Sequence, residues 1–209
     1  MPTGTVMVIA KEPLPGRVKT RLCPPCCPEQ AAALAAAALR DTLDAVAGAP
    51  ARRRVLVFEG DGERWRPPGF ELLVQRGGGL SDRLAVAFED VGEPALLVGM
   101  DTPQLTAGLL AAGLRTLEDP AVDAVLGPAL DGGYWGIGLK AAFDGVFQGV
   151  PMSRSDTCTA QRRRLRDLGL RWREQPHLRD VDTMADARLV ASQAPGSRFA
   201  AALGELVGL

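Results

Sequence analysis

The chain lacks both a surplus of positive charge and a long apolar run. Its 209 residues include 24 Lys and Arg against 25 Asp and Glu, which gives a formal net charge of −1. Proteins that bind nucleic acid or membrane surfaces usually carry more positive charge, so neither partner is expected. No apolar run reaches the roughly eighteen residues that a membrane-spanning helix needs, so no span is expected either.

The N-terminal residues also lack the pattern of a signal peptide, in which a basic segment precedes an apolar segment and a cleavage site. The apolar run TVMVIA is short and is typical of a buried strand. The expected location is therefore the cytoplasm. The distribution of the cysteines is consistent with this location, because Cys23, Cys26 and Cys27 are clustered while Cys158 is distant from them in sequence. A disulfide framework usually spreads its cysteines through a smaller chain.

The segment Cys23–Cys27, CPPCC, leaves three interpretations open. A zinc site would need a fourth ligand, which Cys158 or His177 would have to supply through the fold. A redox site is compatible with C-x-x-C spacing before a predicted helix. We favour a proline-rich turn whose cysteines act as small apolar residues, because no second C-x-x-C and no nearby His accompany the motif.

Short apolar segments alternate with segments of helical periodicity along the chain. The predicted strands are 4–10, 54–59, 70–75, 94–99, 122–127, 134–139 and 170–173, and the predicted helices are 28–46, 81–91, 106–117, 155–168 and 184–192. This alternation predicts an α/β fold with a mostly parallel sheet flanked by helices. Without an internal repeat or long linker, residues 1–209 are expected to form a single domain, with a core of 4–192. The tail, 193–209, is expected to be helical and either packed or partly loose.

Ligands of such sheets bind beyond the carboxyl ends of the strands, so the segments after each strand carry the functional prediction. The first is AKEPLPGRVKTRL, residues 10–22, in which Gly16 permits close approach of the backbone. In an extended stretch Arg17, Lys19 and Arg21 would point the same way, which predicts a phosphate site. Neither the Walker pattern nor the dinucleotide fingerprint is present, and a solvated basic loop is the alternative.

The segment after the third predicted strand is QRGGGLSDR, residues 75–83. Three glycines before a helix start suit close approach to a nucleotide. Arg83 lies in the first turn of the predicted helix, where the helix dipole disfavours a cation, and a ligand anion would explain its presence. The alternative is a flexible turn with Ser81 as the helix N-cap.

Two aspartates are candidate metal ligands. Asp101 follows an apolar strand in GMDTP, a position at which a carboxylate commonly holds a divalent cation. Asp182 stands in DVDT before the predicted helix 184–192 and would be the second ligand at the same edge. Turn formation or helix capping is the alternative for both residues.

The stretch DGGYWGIGL, residues 131–139, follows the fifth predicted strand. An acid followed by two glycines and two aromatic residues suggests an acceptor or sugar platform, in which the carboxylate orients a hydroxyl. The alternative is a hairpin turn followed by an edge strand. The predicted acceptor-binding residues are Asp131, Gly132, Gly133, Tyr134 and Trp135.

In sequence and order, the segments AKEPLPGRVKTRL, LLVGMDTP, GPALDGGYWGIGL and DVDTMADARL resemble a bacterial family of glycosyltransferase-A-like proteins, the nucleotide-diphospho-sugar transferases of unassigned substrate. More distantly, the layout is similar to the molybdopterin and 2-phospholactate guanylyltransferases. The resemblance implies a glycosyltransferase-A fold and a metal-dependent transferase. Its substrates would be a nucleotide sugar or nucleoside triphosphate and a small-molecule acceptor.

The resemblance also implies roles for individual residues. The implied nucleotide-binding residues are Ala10, Lys11, Gly16, Arg17, Lys19, Arg21, Gln75, Gly77 and Arg83. Asp101 and Asp182 would hold Mg²⁺ or Mn²⁺. In the mechanism that we predict from these residues, Asp101, Asp131 and Lys19 would be the catalytic residues.

Two reactions would use these same residues. Glycosyl transfer breaks a bond at the sugar carbon, whereas nucleotidyl transfer joins an acceptor phosphate to the α-phosphorus of a nucleoside triphosphate. We favour glycosyl transfer on the closer family resemblance alone. A nucleotide-binding protein without turnover is a third option, against which the intact Asp101, Asp131 and Asp182 argue. A homodimer is an option that the sequence leaves open.

Overall fold

The structure of the chain is a computed structural model that describes residues 4–208. The strands are β1 (Thr5–Lys11), β2 (Arg53–Glu59), β3 (Glu71–Val74), β4 (Ala95–Val98), β5 (Ala124–Pro128), β6 (Tyr134–Leu139) and β7 (Trp172–Glu174). The helices are α1 (Pro28–Ala47), α2 (Leu80–Val91), α3 (Ala107–Glu118), α4 (Thr157–Asp167), α5 (Met184–Gln193) and α6 (Arg198–Val207). Short 3₁₀ turns at Thr20–Leu22 and Gly62–Arg64 are additional to the predicted elements.

The strands form one sheet in the order β3-β2-β1-β4-β6-β5-β7. Strand β6 is antiparallel to β4 and β5, while the other neighbouring strands are parallel. The predicted mostly parallel sheet is therefore confirmed. Because β6 lies between β4 and β5, the alternative that made it an edge strand is wrong. The carboxyl ends of the parallel strands and the start of β6 share one edge of the sheet.

Alternate side chains of β1 pack on opposite faces of the sheet, as strand geometry requires. Val6 and Val8 belong to a core cluster with Leu39 of α1. Met7 belongs to a second cluster with Leu84 of α2. Helices therefore cover both faces, which explains why the central strands are almost continuously apolar.

The C-terminal tail packs as a helix over Arg198–Val207 rather than as a loose segment. Phe199 is 1% exposed and shares a cluster with Leu34 of α1. The Asp41 carboxylate accepts hydrogen bonds of 2.9 Å from the backbone N–H groups of Arg198 and Phe199. These bonds satisfy donors that the first turn of a helix leaves free.

Helix α2 begins one residue earlier than the sequence predicts, and its N-cap is Gly79. The Asp82 carboxylate accepts from the Gly79 N–H at 3.2 Å. The interpretation of Ser81 as N-cap is wrong, because its hydroxyl instead donates to the carbonyl oxygen of Val150 at 3.2 Å. None of the helices within 4–208 is long and apolar enough to cross a membrane.

Candidate functional site

A cleft of about 1180 Å³ lies at the carboxyl edge of the sheet. The predicted site residues that line it are Ala10, Lys11, Gly16, Arg17, Arg21, Gln75, Arg83, Asp101, Asp131, Gly133, Tyr134, Trp135 and Asp182. Lys19 reaches it through ion pairs with two of those residues. Gly77 and Gly132 are not among the cleft-lining residues.

The basic loop after β1 is folded into turns, so the expectation of an extended stretch is wrong. The chain turns around Gly16, whose φ is +73°, and Lys19 adopts the left-handed conformation before the 3₁₀ turn Thr20–Leu22. Turns rotate successive side chains away from one another. The Lys19 side chain points inward and is 8% exposed, whereas that of Arg21 is 72% exposed.

The inward Lys19 brings the basic loop into contact with both predicted metal ligands. Its Nζ lies 3.0 Å from Asp101 Oδ1 and 3.6 Å from Asp182 Oδ1. Arg21 approaches Asp182 from outside, with Nη1 3.0 Å from Oδ2. The carboxylates that follow β4 and precede α5 thus meet the cations that follow β1.

Lys11 and Arg17 complete the basic side of the cleft. Both side chains are exposed, and both residues line the cleft. No carboxylate within 4–208 forms an ion pair with either of them. Their charges are therefore available to an anionic ligand.

Gln75 and Arg83 are held by the protein itself. The Gln75 amide donates to the carbonyl oxygens of Ala10 at 2.6 Å and Val57 at 3.2 Å. Arg83 Nη1 donates to Gln75 Oε1 at 3.1 Å and pairs with the Glu59 carboxylate. Because Glu59 neutralises Arg83, a ligand anion is not needed to explain this cation, and that part of the prediction is corrected.

Gly77 meets a steric requirement of the loop before α2. Its φ is +116°, and a Cβ at this position would lie 2.8 Å from the Cβ of Asp82. A side chain would therefore collide with the first turn of α2. The role of Gly77 in nucleotide binding stays a prediction.

Asp131 lies exposed on the cleft, in the loop between β5 and β6. Its Oδ1 accepts from the backbone N–H of Gly133 at 2.8 Å. Between them Gly132 has φ +91°, and a Cβ there would lie 1.9 Å from the carbonyl oxygen of Ser155. Gly132 is therefore required by the close approach of the 150–156 segment, not by contact with the cleft.

The two aromatic residues of DGGYW have different environments. Tyr134 lines the cleft with its hydroxyl 3.5 Å from Gln161 Oε1, and burial raises the pKa of this phenol. Trp135 is 2% exposed, its indole N–H donates to the carbonyl oxygen of Pro176 at 3.0 Å, and its ring covers Gly127. Its ring is therefore largely part of the core although the residue lines the cleft, and its role in acceptor binding stays a prediction.

Asp180 is a cleft residue that was not predicted. Its Oδ1 is buried without a hydrogen-bond partner among the described residues. Burial and the nearby carboxylates of Asp101 and Asp131 raise the pKa of Asp180 to about 8, against an opposing effect of Lys19. The signal in the sequence was the D-x-D spacing with Asp182, which places two acids on one side of an extended stretch.

Arg154 was also missed. It lines the cleft and pairs with Asp156, with Nε 2.9 Å from Oδ1. The preceding Ser153 has a φ of 59° and also lines the cleft. No sequence motif in 150–156 predicts that Arg154 lines the cleft, because this position depends on how the segment packs against Gly132.

The cysteine cluster lies outside the cleft-lining residues. Cys26 is buried, its Sγ lies 3.7 Å from Met184 Sδ, and it packs in the cluster that contains Leu22 and Leu34. This environment favours the interpretation of the CPPCC segment as an apolar turn. Among residues 4–208, no group of three or more His, Cys, Asp or Glu side chains is arranged to hold a metal ion.

Comparison with known proteins identifies relatives of this fold. Residues 33–154 match the family described as an uncharacterized protein conserved in bacteria, DUF2064. No curated protein sequence matches the chain. A structure from Desulfovibrio desulfuricans G20, provisionally assigned as a nucleotide-diphospho-sugar transferase, is 29% identical, with a TM-score of 0.87, over 98% of this chain and 95% of that chain.

More distant structures share the fold. Rv0371c from Mycobacterium tuberculosis H37Rv, in complex with manganese, is 20% identical over 91% of this chain and 98% of that chain, with a TM-score of 0.57. A CMP:2-keto-3-deoxy-manno-octonic acid synthetase in complex with CTP is 14% identical over 93% of this chain and 99% of that chain, with a TM-score of 0.58. The predicted transferase-type α/β fold is confirmed.

Proposed function

This chain belongs to the bacterial protein family DUF2064, and we propose that it is a metal-dependent transferase that binds a nucleotide-activated donor in the cleft. One observation carries the proposal: Asp101 and Asp182 meet Lys19 on the same cleft that is lined by Lys11 and Arg17, which form no ion pair with any described residue. Carboxylates beside free cations suit a diphosphate held between a divalent metal and basic side chains. The Desulfovibrio desulfuricans structure, with its provisional assignment, supports the same class of donor.

The basic side of the cleft binds the phosphates. Lys11 and Arg17 donate hydrogen bonds to phosphate oxygens, and the turn at Gly16 lets the backbone approach them. Charge grows on the leaving diphosphate or pyrophosphate as the donor bond breaks. These fixed cations stabilise that charge without reorganisation.

Asp101 and Asp182 fit a divalent cation. Their Oδ1 atoms already face one cation, the Lys19 ammonium, and carboxylates are the ligands that Mg²⁺ and Mn²⁺ prefer. One or two protein carboxylates are enough when phosphates and waters complete the shell. Asp180 carries a buried oxygen that no described residue satisfies, but the described residues do not arrange three carboxylates around one metal position, so the proposed ligands are Asp101 and Asp182 alone. Mg²⁺ or Mn²⁺ bound there would polarise the phosphate oxygens as a Lewis acid.

The acceptor side of the cleft favours a hydroxyl acceptor and hence glycosyl transfer. Asp131 and Asp180 both line this part of the cleft, and carboxyl oxygens accept hydrogen bonds from a hydroxyl. Asp131 holds a hydroxyl through one carboxylate oxygen and takes its proton as the general base. Tyr134 forms the neighbouring wall.

Nucleotidyl transfer is the second candidate. Arg154 lines the cleft beside the acceptor side and is 64% exposed. If Arg154 leaves Asp156, it offers a guanidinium for an acceptor phosphate. The CTP-bound relative supports this option at the level of the fold alone.

A ligand screen by thermal unfolding separates the candidates. With Mn²⁺ present, UDP-, GDP- and dTDP-sugars are tested beside the nucleoside triphosphates. A ligand at a hundred times its Kd stabilises the native state by about 2.7 kcal/mol, which raises the Tm by roughly 5 °C or more for a chain of this size. Shifts with nucleotide sugars alone support glycosyl transfer, and shifts with triphosphates alone support nucleotidyl transfer. If neither class raises the Tm, the proposed function is wrong.

A further inference from the structure

Lys19 is a cation that the protein itself places between the proposed metal ligands. Its Nζ contacts the Oδ1 atoms of Asp101 and Asp182, at 3.0 and 3.6 Å. The Lys19 side chain is 8% exposed, while the side chains of Asp101 and Asp182 are 43% and 33% exposed. The ammonium is therefore the most deeply placed charge of the three.

The backbone of Lys19 shows that this position is built by the loop. Its φ of 47° and ψ of 36° are in the left-handed region, which is unfavourable for a residue with a side chain. The 3₁₀ turn Thr20–Leu22 follows at once, with the Leu22 N–H donating to the carbonyl oxygen of Lys19 at 2.9 Å. The loop thereby directs Lys19 inward, while Arg21, two residues later, stays exposed.

We propose that Lys19 is a built-in counter-ion of Asp101 and Asp182, which competes with the divalent cation until nucleotide phosphates draw the ammonium away. The proposal rests on the proposed function, from which it takes phosphates and a divalent cation as the ligands. An ammonium and a divalent cation between the same two carboxylates repel each other, so both do not bind there together. A phosphate offers Lys19 another anion on the same cleft. Nucleotide and metal binding are consequently coupled, with the nucleotide preceding the metal.

Arg21 provides the contrast that makes the proposal specific. It contacts Asp182 at Oδ2, the oxygen that does not face Lys19, and its side chain is 72% exposed. Solvent and salt screen an exposed charge of this kind. Removing Arg21 therefore deletes the same charge from the same cleft without vacating the position between the two Oδ1 atoms.

The test measures the Kd of Mn²⁺ by electron paramagnetic resonance, without nucleotide, for the wild type and three variants. Lys19→Met is expected to bind Mn²⁺ at least about tenfold more tightly than the wild type, within the usual range of coupling between ligands. Arg21→Met is expected to gain no more than about threefold, because its charge is screened. Lys140→Met, which removes an ammonium that contacts the Asp119 carbonyl oxygen outside the cleft, is expected to match the wild type.

A second measurement determines the Kd of nucleoside diphosphates by calorimetry in the presence of EDTA. ADP, CDP, GDP and UDP are tested separately. Lys19→Met is expected to bind the preferred diphosphate less tightly than the wild type. If Lys19→Met binds Mn²⁺ no more tightly than Arg21→Met does, Lys19 does not compete with the metal and the proposal is overturned. Should Lys19→Met unfold, Lys19→Gln removes the same charge with a polar side chain and is judged by the same comparison.

Failure of the proposed function has a different signature. If no diphosphate and no nucleotide sugar binds the wild type, the donor assignment is wrong. Tighter Mn²⁺ binding by Lys19→Met would then still support competition between the ammonium and the metal. If Lys19→Met binds Mn²⁺ as the wild type does while the wild type binds nucleotide normally, only the proposed competition between Lys19 and the metal is overturned.

Discussion

The backbone N–H of Val181 donates a hydrogen bond of 3.1 Å to the carbonyl oxygen of Asp101. This bond joins the loop after the central strand β4 to the segment before α5. Because only backbone atoms take part, it persists whichever side chains stand at positions 101 and 182. Substitutions of these aspartates are therefore expected to alter chemistry more than structure.

Asp101→Asn is expected to lower the rate of transfer at least about 100-fold, because a lost metal ligand removes several kcal/mol of charge stabilisation in the transition state. The free energy of unfolding should change by about 1 kcal/mol or less, since the side chain is 43% exposed. Turnover with Mn²⁺ and urea unfolding measure the two effects. Asp90→Asn is the matched control: this carboxylate pairs with Arg76 outside the cleft. Full activity of Asp101→Asn would contradict the metal mechanism.

Lys11→Ala and Arg17→Ala are each expected to raise the Kd of the nucleotide about tenfold or more, because each removes a charge-assisted hydrogen bond to phosphate. Neither side chain has an ion pair within 4–208, so the free energy of unfolding should stay within about 0.5 kcal/mol of the wild type. Calorimetric titration measures the Kd. The control is Arg115→Ala on α3, an exposed arginine outside the cleft. Equal losses for Arg115 and Arg17 would show a general charge effect.

Gly132→Ala is expected to destabilise the protein by more than about 2 kcal/mol, because the new Cβ would lie 1.9 Å from the Ser155 carbonyl oxygen at a φ of +91°. Gly149→Ala isolates the effect of backbone conformation: its φ is +73° and no atom lies within 4 Å of a new Cβ. That variant should lose only about 1 kcal/mol. Urea unfolding measures both variants. Similar losses in the two would show that the close approach of Ser155 is unimportant.

Asp123 predicts a pH dependence of stability. Its Oδ2 accepts hydrogen bonds from the backbone N–H and the Nε of Arg171, both at 2.9 Å, and its Oδ1 accepts from Arg171 Nη2 at 3.0 Å. These bonds lower the pKa of Asp123 to about 2. A lowered pKa in the folded state stabilises the protein above the unfolded-state pKa of about 3.9, and the gain disappears as the pH falls toward 2. Asp123→Asn should therefore cost about 1 kcal/mol at pH 7, as expected for a partly exposed pair.

Urea unfolding of the wild type and Asp123→Asn at pH 7, 4 and 2.5 measures this dependence. The difference in unfolding free energy should shrink as the pH falls. A difference that stays constant from pH 7 to pH 2.5 would contradict the assigned role of the Asp123 carboxylate.

The sequence predicted those features of the candidate site that depend on a single segment of the chain. Asp101 follows a strongly apolar strand, so its position at the carboxyl edge was predictable. The partner of Arg83 was not, because Glu59 belongs to β2 and reaches Arg83 only through the pairing of strands. Trp135 was expected to form part of an acceptor wall, and the sequence did not show that the insertion of β6 between β4 and β5 places its ring over Gly127 in the core.

The sequence by itself determined the alternation of strands and helices, the covering of the sheet on both faces, and the set of acids and bases that gather at one edge. Periodicity, glycine and apolar runs act over a few residues, so a single segment reveals them. Only the tertiary structure decided which charges meet. Lys19 turns inward to Asp101 and Asp182, and Glu59 neutralises Arg83. Among the residues that the structure describes, Lys11 and Arg17 have no ion-pair partner and the buried Oδ1 of Asp180 has no hydrogen-bond partner. The physical reason is that ion pairing and burial depend on distances between loops from different strands, which the order of the strands sets.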